Sequence, residues 1–453
     1  MPIQQSRSRE ASLWQSALDE ATAAQSGGGA ASLGAPSAVT RRPIDQDITD
    51  NYEVIKAIEE WDFDGTPIPD AAPPTPAAGV KDIIKFCSTT AFRLAEAKVR
   101  AVFSRDDTEV KLLEQQLGEK FGNCDPKWGE TIKNYVKNRV AAQNIPYRPY
   151  NDIGQYVISD RLPGKGLIAL LADWGTGEDA AKRLLRQVAA RKPDVVIHLG
   201  DVYYSGTEHE FQNYFYAVWQ QTFGLPKLKW NTKPAGPPSK PATFTLAGNH
   251  DMYAGGAPYY TTIDMLGQPA SYFCLRSSDW QFIALDTGLH DSNPTKSSAT
   301  FLEDTEVAWL KDKIATANGR KTVLLSHHQL FTAFNEEQIA GSPVNQKLLG
   351  QVKDILPEID VWFWGHEHNL VIFERYLNVL ARCIGHAAFP VPTNQPSTRN
   401  GLPVTMALTA DPSAPFFPHG YVMMQIDGKS ATATYIQCDP TTGKETVLFT
   451  EDL

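Results

Sequence analysis

Five short apolar runs in the chain each end abruptly at Asp, Asn or His, and four of the five end beside a glycine. They are Leu167–Ala172, Val195–Leu199, Phe244–Ala247, Val323–Leu325 and Val361–Trp364. The runs are too short for independent helices, and their continuous hydrophobicity is typical of strands that are buried on both faces of a sheet. In open α/β sheets the ligand binds just beyond the carboxyl ends of the strands. The polar residues at these five ends are therefore predicted to converge on one site.

Segments with helical spacing alternate with these runs, and the alternation predicts βαβ units with parallel strands. The segments are Ala180–Arg191, Phe211–Phe223, Thr305–Ala317 and Val344–Leu356. Residues Ser271–Asp286 instead predict a hairpin with its turn at Ser277–Asp279. Beyond His368 only strand patterns follow, and they predict a second, mostly antiparallel sheet that completes a sandwich.

The N-terminal third of the chain has a different character. Residues 1–42 are rich in Ala, Ser, Gln and Gly and predict a disordered tail. Residues 43–145 contain several segments with helical spacing and predict a small helical module. A cap packed on the larger domain, residues 146–453, is the favoured interpretation of this module, with a regulatory or oligomerising role as the alternative.

Composition indicates which binding partners and which cellular compartment to expect for this protein. The formal net charge is −10, which disfavours nonspecific binding to nucleic acid or to anionic membranes. No apolar segment is long enough to span a bilayer, and the N-terminus has no signal-peptide pattern. The five cysteines are scattered, with no C-x-x-C pair, which is typical of free thiols in a reducing compartment. A cytoplasmic protein is expected, with no nucleic-acid or membrane partner, and the oligomeric state stays open.

The residues at the strand ends have the chemistry of metal ligands. Carboxylate, amide and imidazole groups are mixed without thiolates in Asp173, Asp201, Asn249, His327, His366 and His368. That set suits Fe, Mn or Zn and is too rich in nitrogen for Ca²⁺. It is large enough for two metals, and one aspartate can bridge two ions that lie ~3.5–4 Å apart. His366 and His368 are two residues apart, so on an extended segment both side chains leave from the same side.

Taken together, GDVYY, GNHD, SHH and GHEH, with DWG upstream, resemble the calcineurin-like metallophosphoesterase superfamily in its purple acid phosphatase variant. The resemblance runs from Leu167 to His368 and implies an α/β fold, a four-layer α/β/β/α sandwich with a small helical N-terminal extension. In the superfamily the first motif is Asp-x-His, but here the histidine position is Gly175. The compensating ligand implied by the family pattern is Tyr204, and the choice of Tyr204 over Tyr203 rests on the family spacing alone.

The resemblance also implies how the ligands are shared between two ions. The first metal would be Fe(III), bound by Asp173, Tyr204 and His368. The second would be Fe, Zn or Mn, bound by Asn249, His327 and His366. Asp201 would bridge them. A phenolate is a hard, strongly donating oxygen that favours the ferric state.

The implied activity is hydrolysis of small-molecule phosphate monoesters by a metal-bridging hydroxide. His250 is the candidate to contact the phosphoryl group with Asn249 and to protonate the leaving oxygen, and Asp251 could orient its imidazole. Purple acid phosphatases carry a further substrate histidine after the fourth motif, but FTAFNEEQ contains none, so His328 is the candidate substitute. The alternatives are a phosphodiesterase acting on cyclic nucleotides or phospholipid-like diesters, and a scaffold that binds metal or phosphate without turnover.

The remaining histidines have less specific patterns. His198 lies inside a predicted strand and is expected to be a core residue, whereas His209, His290 and His419 are expected on the surface or in loops. His386 follows the last motif, and a structural role and contact with substrate or with a metal ligand both stay open.

Overall fold

The computed structural model describes residues 145–203, 205–235, 240–291, 299–391, 393, 398–409, 411, 414, 416–440 and 442–453. The chain divides into two units, Met1–Asn144 and Ile145–Leu453, and the second unit contains all of these residues. Of the predicted tail, residues 1–42, and the predicted helical module, residues 43–145, only Ile145 lies within the described residues. Tyr204 also lies outside them.

Strands and helices alternate as far as residue 358 of the described unit, and strands alone follow. The strands are β1 (Val157–Ile158), β2 (Lys165–Leu171), β3 (Val195–His198), β4 (Ala242–Thr245), β5 (Phe273–Arg276), β6 (Trp280–Ala284), β7 (Lys321–Leu325), β8 (Val361–Trp364), β9 (Leu370–Phe373), β10 (Ala381–Ile384), β11 (Val404–Ala407), β12 (His419–Asp427), β13 (Ser430–Cys438) and β14 (Glu445–Asp452). The α-helices are α1 (Asp179–Ala190), α2 (Glu208–Glu210), α3 (Ala217–Phe223), α4 (Asn249–Tyr253), α5 (Ala257–Leu266), α6 (Asp304–Ala315) and α7 (Gln346–Val352). A π-helical stretch, Phe211–Tyr216, joins α2 to α3, and 3-10 turns lie at Leu289–Asp291 and Leu356–Glu358.

In the described residues these strands form two mixed sheets. One has the order β14-β13-β12-β2-β3-β4 and the other the order β1-β5-β6-β7-β8-β10-β9-β11. Strands β2, β3 and β4 are parallel, as are β6, β7 and β8. The expected second sheet made only of the strands beyond His368 is wrong, because β12 pairs with β2 and β10 pairs with β8. A strand pattern shows which residues are buried but does not specify the neighbouring strand.

The sheets face each other and are flanked by helices, which confirms the predicted α/β sandwich. Alternate residues of a strand point to opposite faces. On β2, Ile168 and Leu170 pack into the core between the sheets with Phe282 of β6. Ala169 and Leu171 face the other way, toward α1. A third cluster joins the outer face of the larger sheet to helices α6 and α7.

The hairpin β5–β6 and the strand β8 lie where the sequence predicted them, whereas α4 and α5 were not predicted. Both helices begin after a glycine, Gly248 and Gly256, and Pro258 is in the first turn of α5. These residues are common in loops, so they obscured two short helices. Within the part of the chain that the structure describes, every helix is too short or too polar to cross a membrane.

The buried histidines differ in part from the prediction. His198 is buried on β3, as expected, and its Nδ1 lies 3.0 Å from Thr245 Oγ1. The expected surface position of His419 is wrong, because this residue begins β12 and is only 3% exposed. The predicted free thiols are seen at the three described cysteines, Cys274, Cys383 and Cys438, all of which are buried.

Candidate metal centre

The polar residues of the five motifs follow five strands and meet beyond the carboxyl ends of strands from both sheets. Asp173, Asp201 and Asn249 follow β2, β3 and β4 in the six-stranded sheet. His327 follows β7, and the segment with His366 and His368 follows β8, both in the eight-stranded sheet. The expected convergence at the carboxyl ends of the strands is therefore present, with ligands contributed by both sheets.

The backbone is constrained where these residues leave their strands. Asp173, Asp201 and His366 have φ angles of +60°, +74° and +67°. Non-glycine residues rarely adopt this left-handed conformation, which costs on the order of 1–3 kcal/mol at each residue and is common at functional sites. A Cβ on Gly365 would lie 2.6 Å from Asp173 Oδ2, and a Cβ on Gly248 would overlap the Asp201 carboxylate. Glycine is therefore required at both positions for the motif loops to approach each other.

Three donor atoms form a first group, called the first triad. The Tyr203 hydroxyl donates to Asp173 Oδ1 at 2.8 Å and lies 2.9 Å from His368 Nε2. Asp173 Oδ1 and His368 Nε2 are 3.4 Å apart. Atoms that share an ion at bond lengths of about 2.0–2.2 Å lie about 3 Å from one another. The first triad therefore has the spacing of ligands to one cation.

Tyr203 occupies the first triad where the sequence had suggested Tyr204. Tyr204 lies outside the described residues, so its predicted role as a ligand stays a prediction. Gly175 could not supply the missing histidine in this backbone, because a Cβ there would lie 2.7 Å from Val202 Cα and 2.9 Å from the Asp201 carbonyl oxygen. The side chain that stands near Asp173 and His368 is a buried phenol.

A second triad consists of Asn249, His327 and His366. Asn249 Oδ1 lies 3.2 Å from His327 Nε2 and 3.0 Å from His366 Nδ1. The Asn249 amide nitrogen donates to the Tyr253 hydroxyl at 2.5 Å, so its oxygen faces the two imidazoles. His327 Nδ1 donates to the Leu199 carbonyl at 2.9 Å, so Nε2 is the ring nitrogen that faces Asn249 and Asp201.

Asp201 lies beside both triads. Its Oδ2 is 3.3 Å from His327 Nε2, and its Oδ1 accepts the His250 backbone amide at 3.0 Å. A ligand atom of Asp201 also lies within 4.8 Å of one of Asp173, so Asp201 is close to the first triad as well. Burial, then the Asp173 and Asp201 carboxylates, raise the pKa of Tyr203. Burial opposes ionisation of Asp201, but the charges of His327 and His250 outweigh it and hold its pKa well below the usual range. A buried carboxylate between two donor groups is what a bridging ligand requires.

Metal-ligand atoms also cluster by distance alone in the described residues. The ligand atoms of Asp173, Asp201 and His327 lie within 4.8 Å of one another, and so do those of His327, His328 and His366. The carboxylate, amide, phenol and imidazole groups are all types that bind metal ions in proteins. The residues therefore suggest a site for two metals.

Asp251 connects two of the ligand loops. Its Oδ2 accepts the amides of Gly248 at 2.7 Å and Asp201 at 2.9 Å, and its Oδ1 accepts the amide of Val202 at 2.8 Å. Burial, and then the Asp201 charge, raise the pKa of Asp251 to about 8. The predicted role of Asp251 in orienting His250 stays a prediction, because the contacts seen for its carboxylate go to the backbone.

His250 and His328 flank the triads. His250 Nε2 lies 3.9 Å from Asp201 Oδ2, and its imidazole packs between the rings of Tyr203 and Tyr253 at centroid distances of 4.7 and 4.8 Å. His328 lies 4.4 Å from His366, measured between ring centroids. The side chain of His328 is almost fully buried, and its role in substrate binding stays a prediction.

Two residues that support His328 were missed by the sequence analysis. His328 Nδ1 lies 3.0 Å from Thr287 Oγ1, and its Nε2 lies 3.1 Å from Asp291 Oδ2. A signal was present, because FIALDTG is a sixth apolar run that ends in Asp, Thr and Gly. A Cβ on Gly288 would lie 2.5 Å from the Gly248 carbonyl oxygen, so this loop approaches the GNHD loop closely.

Comparison with known proteins agrees with this geometry. Residues 166–370 match the family model for calcineurin-like phosphoesterases, a range that contains both triads and Asp201. This part of the chain is therefore a calcineurin-like phosphoesterase domain. No curated protein sequence matches the chain at a significant level.

The chain is also similar to several solved structures. GAP50, the anchor in the inner membrane complex of Plasmodium, is 14% identical, with a TM-score of 0.42, over 63% of this chain and 88% of GAP50. A dimetal phosphatase from Danio rerio is 9% identical, with a TM-score of 0.40, over 62% of this chain and 98% of the other. YfkN from Bacillus subtilis, a calcineurin-like phosphoesterase, is 13% identical, with a TM-score of 0.27, over 64% and 90%.

Proposed function

We propose that this calcineurin-like phosphoesterase domain is a dinuclear-metal hydrolase of phosphate monoesters, similar to purple acid phosphatases. The observation that carries the proposal is the pair of donor triads with Asp201 beside both. A structural role alone does not account for seven buried or nearly buried polar side chains whose donor atoms face one another. The family match adds that such a site acts on phosphoesters.

The first triad would hold Fe(III) and the second Fe, Zn or Mn, with Asp201 between them. When bound, the two metals lower the pKa of a water molecule and neutralise the charge of the phosphoryl oxygens. Tyr203 is the phenol that supports an iron-selective first site, because phenolate favours ferric ions. The proposal thus transfers the predicted role of Tyr204 to its neighbour, on the strength of the Tyr203 contacts with Asp173 and His368.

His250 has the position expected of a general acid. Its backbone amide is bound to Asp201 Oδ1, which fixes the residue at the start of α4. Its imidazole lies beside Tyr203 at the edge of the centre and is 8% exposed, so it is the residue of GNHD that a substrate can reach. In that position it can donate a proton to the leaving oxygen as the phosphorus–oxygen bond breaks. Asn249 and His328 are proposed as further residues that contact the substrate.

A panel of chromogenic substrates tests the proposal. The purified full chain, loaded with Fe and Zn or Mn, is assayed with 4-nitrophenyl phosphate and with bis(4-nitrophenyl) phosphate. The proposal expects faster hydrolysis of the monoester, and loss of nearly all turnover in Asp201→Asn, which keeps the size but removes the charge. Preference for the diester would favour a phosphodiesterase. Metal binding without turnover of either substrate would favour a scaffold.

A further inference from the structure

A segment that belongs to none of the five motifs contacts all three residues of the first triad. Residues 385–389 follow strand β10 and lie beyond the range 166–370 that matches the family model. We infer that this segment, and the ring of Phe389 in particular, positions the first triad and sets the affinity of its metal. The inference rests on the proposed function in that it takes the first triad to bind a metal.

The main chain of the segment supports the backbone of Asp173. The amides of Ala388 and Phe389 both donate to the Asp173 carbonyl oxygen at 3.2 Å, and the amide of Ala387 donates to the Ala172 carbonyl at 3.1 Å. Asp173 has a φ of +60° and is fully buried. Such a conformation persists only where the surrounding structure enforces it, and these hydrogen bonds are that support.

The ring of Phe389 supports the other two donors. It stacks on the His368 imidazole, with centroids 4.0 Å apart and an angle of 27° between the planes. It also packs against the Tyr203 ring at a centroid distance of 4.8 Å. Phe389 is only 2% exposed, so its own orientation is fixed by packing. A stacked neighbour restricts rotation of the imidazole and keeps Nε2 directed at Asp173 and Tyr203.

The second triad has separate supports. Asn249 is held by Tyr253, and His327 is held by the Leu199 carbonyl. Phe389 contacts Asp173, His368 and Tyr203, all three members of the first triad, and it also packs with Val391 and Phe417. Loss of the Phe389 ring should therefore weaken one metal selectively. A general loss of packing would have no reason to distinguish the two sites.

The experiment measures Zn²⁺ binding to the metal-free full chain by calorimetry. The Asn249→Ala substitution disables the second triad, so in this background the measured Zn²⁺ affinity is that of the first triad. Phe389→Leu keeps the backbone amides and removes the ring, and we expect it to weaken this binding 10- to 100-fold, as is typical when a residue that orients a metal ligand is lost. In a His368→Ala background, the same change should alter the remaining second site by less than about twofold.

Phe282→Leu is the matched control. Phe282 is a fully buried phenylalanine of the core between the sheets, so its truncation also costs packing. It should leave the Zn²⁺ affinity of both backgrounds unchanged. Circular dichroism of the metal-free proteins checks that each variant folds. If Phe389→Leu does not fold, Phe389→Met fills more of the space without an aromatic ring and is expected to show the same selective loss.

Unchanged affinity of the first site, or an equal loss at both sites, would overturn the inference, as would an equal effect of Phe282→Leu. Turnover is not needed for this result. A protein that binds two Zn²⁺ with the expected response to Phe389→Leu but hydrolyses no ester would refute the proposed function and support the inference. An unsubstituted protein that binds no Zn²⁺ would refute both.

Discussion

At the residue scale, three of the candidate ligands have one atom held by the protein and another that faces the centre. His327 gives Nδ1 to the Leu199 carbonyl and presents Nε2. Asn249 gives its amide nitrogen to Tyr253 and presents Oδ1. Asp201 accepts the His250 amide with Oδ1 and directs Oδ2 toward His327. Such partners fix tautomer and orientation before a metal binds, which lowers the cost of assembling the site.

The first prediction concerns the identity of the phenol. A phenolate on Fe(III) gives a charge-transfer band in the visible, so aerobically purified, iron-loaded protein should be pink to purple. Tyr203→Phe should bleach the colour and weaken ferric binding, because its hydroxyl lies within 2.9 Å of Asp173 Oδ1 and His368 Nε2. Tyr204→Phe is the matched control and should keep the colour. Visible absorption spectra of the unsubstituted protein and the two variants show which tyrosine binds the iron. Loss of the colour in Tyr204→Phe alone would identify Tyr204 as the phenolate ligand.

His250→Ala separates proton donation from metal binding. We expect kcat to fall roughly 10²–10⁴-fold, the range for loss of a general acid, while both metals remain bound. The loss should be smaller for esters with good leaving groups, because these need less protonation. Steady-state kinetics over a series of phenyl phosphates with leaving groups of graded acidity measures this dependence. Equal losses across the series would assign His250 to orientation of the phosphate.

The convergence of six polar side chains could be predicted from the motifs, because Asp, Asn and His stand where buried strands end. The tyrosine could not be predicted in the same way. Asp201 has a φ of +74°, so the chain leaves β3 in a loop where the alternation of a strand no longer tells which way a side chain points. The roles of Thr287, Asp291 and Phe389 depend on contacts between distant segments, which spacing within one motif does not encode.

At the scale of elements, an ion pair with little solvent exposure joins the two sheets. Arg382 on β10 of the larger sheet forms two hydrogen bonds with Glu451 on β14 of the smaller one, at 2.7 and 2.6 Å. The Tyr435 hydroxyl donates to the same carboxylate at 2.6 Å. Arg382 also donates to the Phe373 and Ala381 carbonyls, so most of its polar atoms have partners inside the protein.

Arg382→Met should therefore destabilise the fold. Removing Arg382 leaves the Glu451 carboxylate, whose side chain is only 13% exposed, without its cation. Breaking a buried ion pair in this way typically costs about 3–5 kcal/mol of unfolding free energy. The control is Lys165→Met, because Lys165 and Asp427 form an ion pair of similar length, 2.7 Å, with both side chains well exposed. That pair should contribute nothing measurable. Urea unfolding of both variants measures the difference, and equal effects would contradict the assignment of the Arg382 pair to the core.

Elements could be predicted where hydrophobic periodicity is long and uniform, as in α1, α6, β12 and β13. The assignment of strands to sheets could not, since β12 pairs with β2 across more than two hundred residues of sequence. Helices α4 and α5 escaped prediction because Gly248, Gly256 and Pro258 usually belong to loops. In both cases the local sequence pattern is compatible with more than one structure, and contacts with distant parts of the chain decide between them.

At the scale of the whole molecule, three buried histidines make the folded state less stable at acid pH. Burial lowers the pKa of His198 to about 3, of His386 to about 4 and of His419 to about 3. Both ring nitrogens of His386 and of His419 are buried without a hydrogen-bond partner in the described residues. Unfolding would return each imidazole to its ordinary pKa near 6.5.

The sign of the resulting pH dependence follows from proton uptake. Between pH 6.5 and about 4 the unfolded chain binds more protons at these histidines than the folded chain does, so stability falls as pH falls. By pH 5 each histidine should contribute a loss of about 2 kcal/mol relative to pH 8. Urea unfolding across this range should show the loss, and His419→Leu should reduce the slope. An unchanged slope in His419→Leu would show that His419 is protonated in the folded protein.

The central claim is that this domain holds two metals through two triads that Asp201 joins. Metal analysis of the purified, reconstituted full chain, with its Asn249→Ala and His368→Ala variants, tests it most directly. The account predicts two ions per chain in the unsubstituted protein and one ion in each variant, with hydrolysis of 4-nitrophenyl phosphate lost in both. A single ion in the unsubstituted protein, or loss of the same ion in both variants, would contradict the division into two triads.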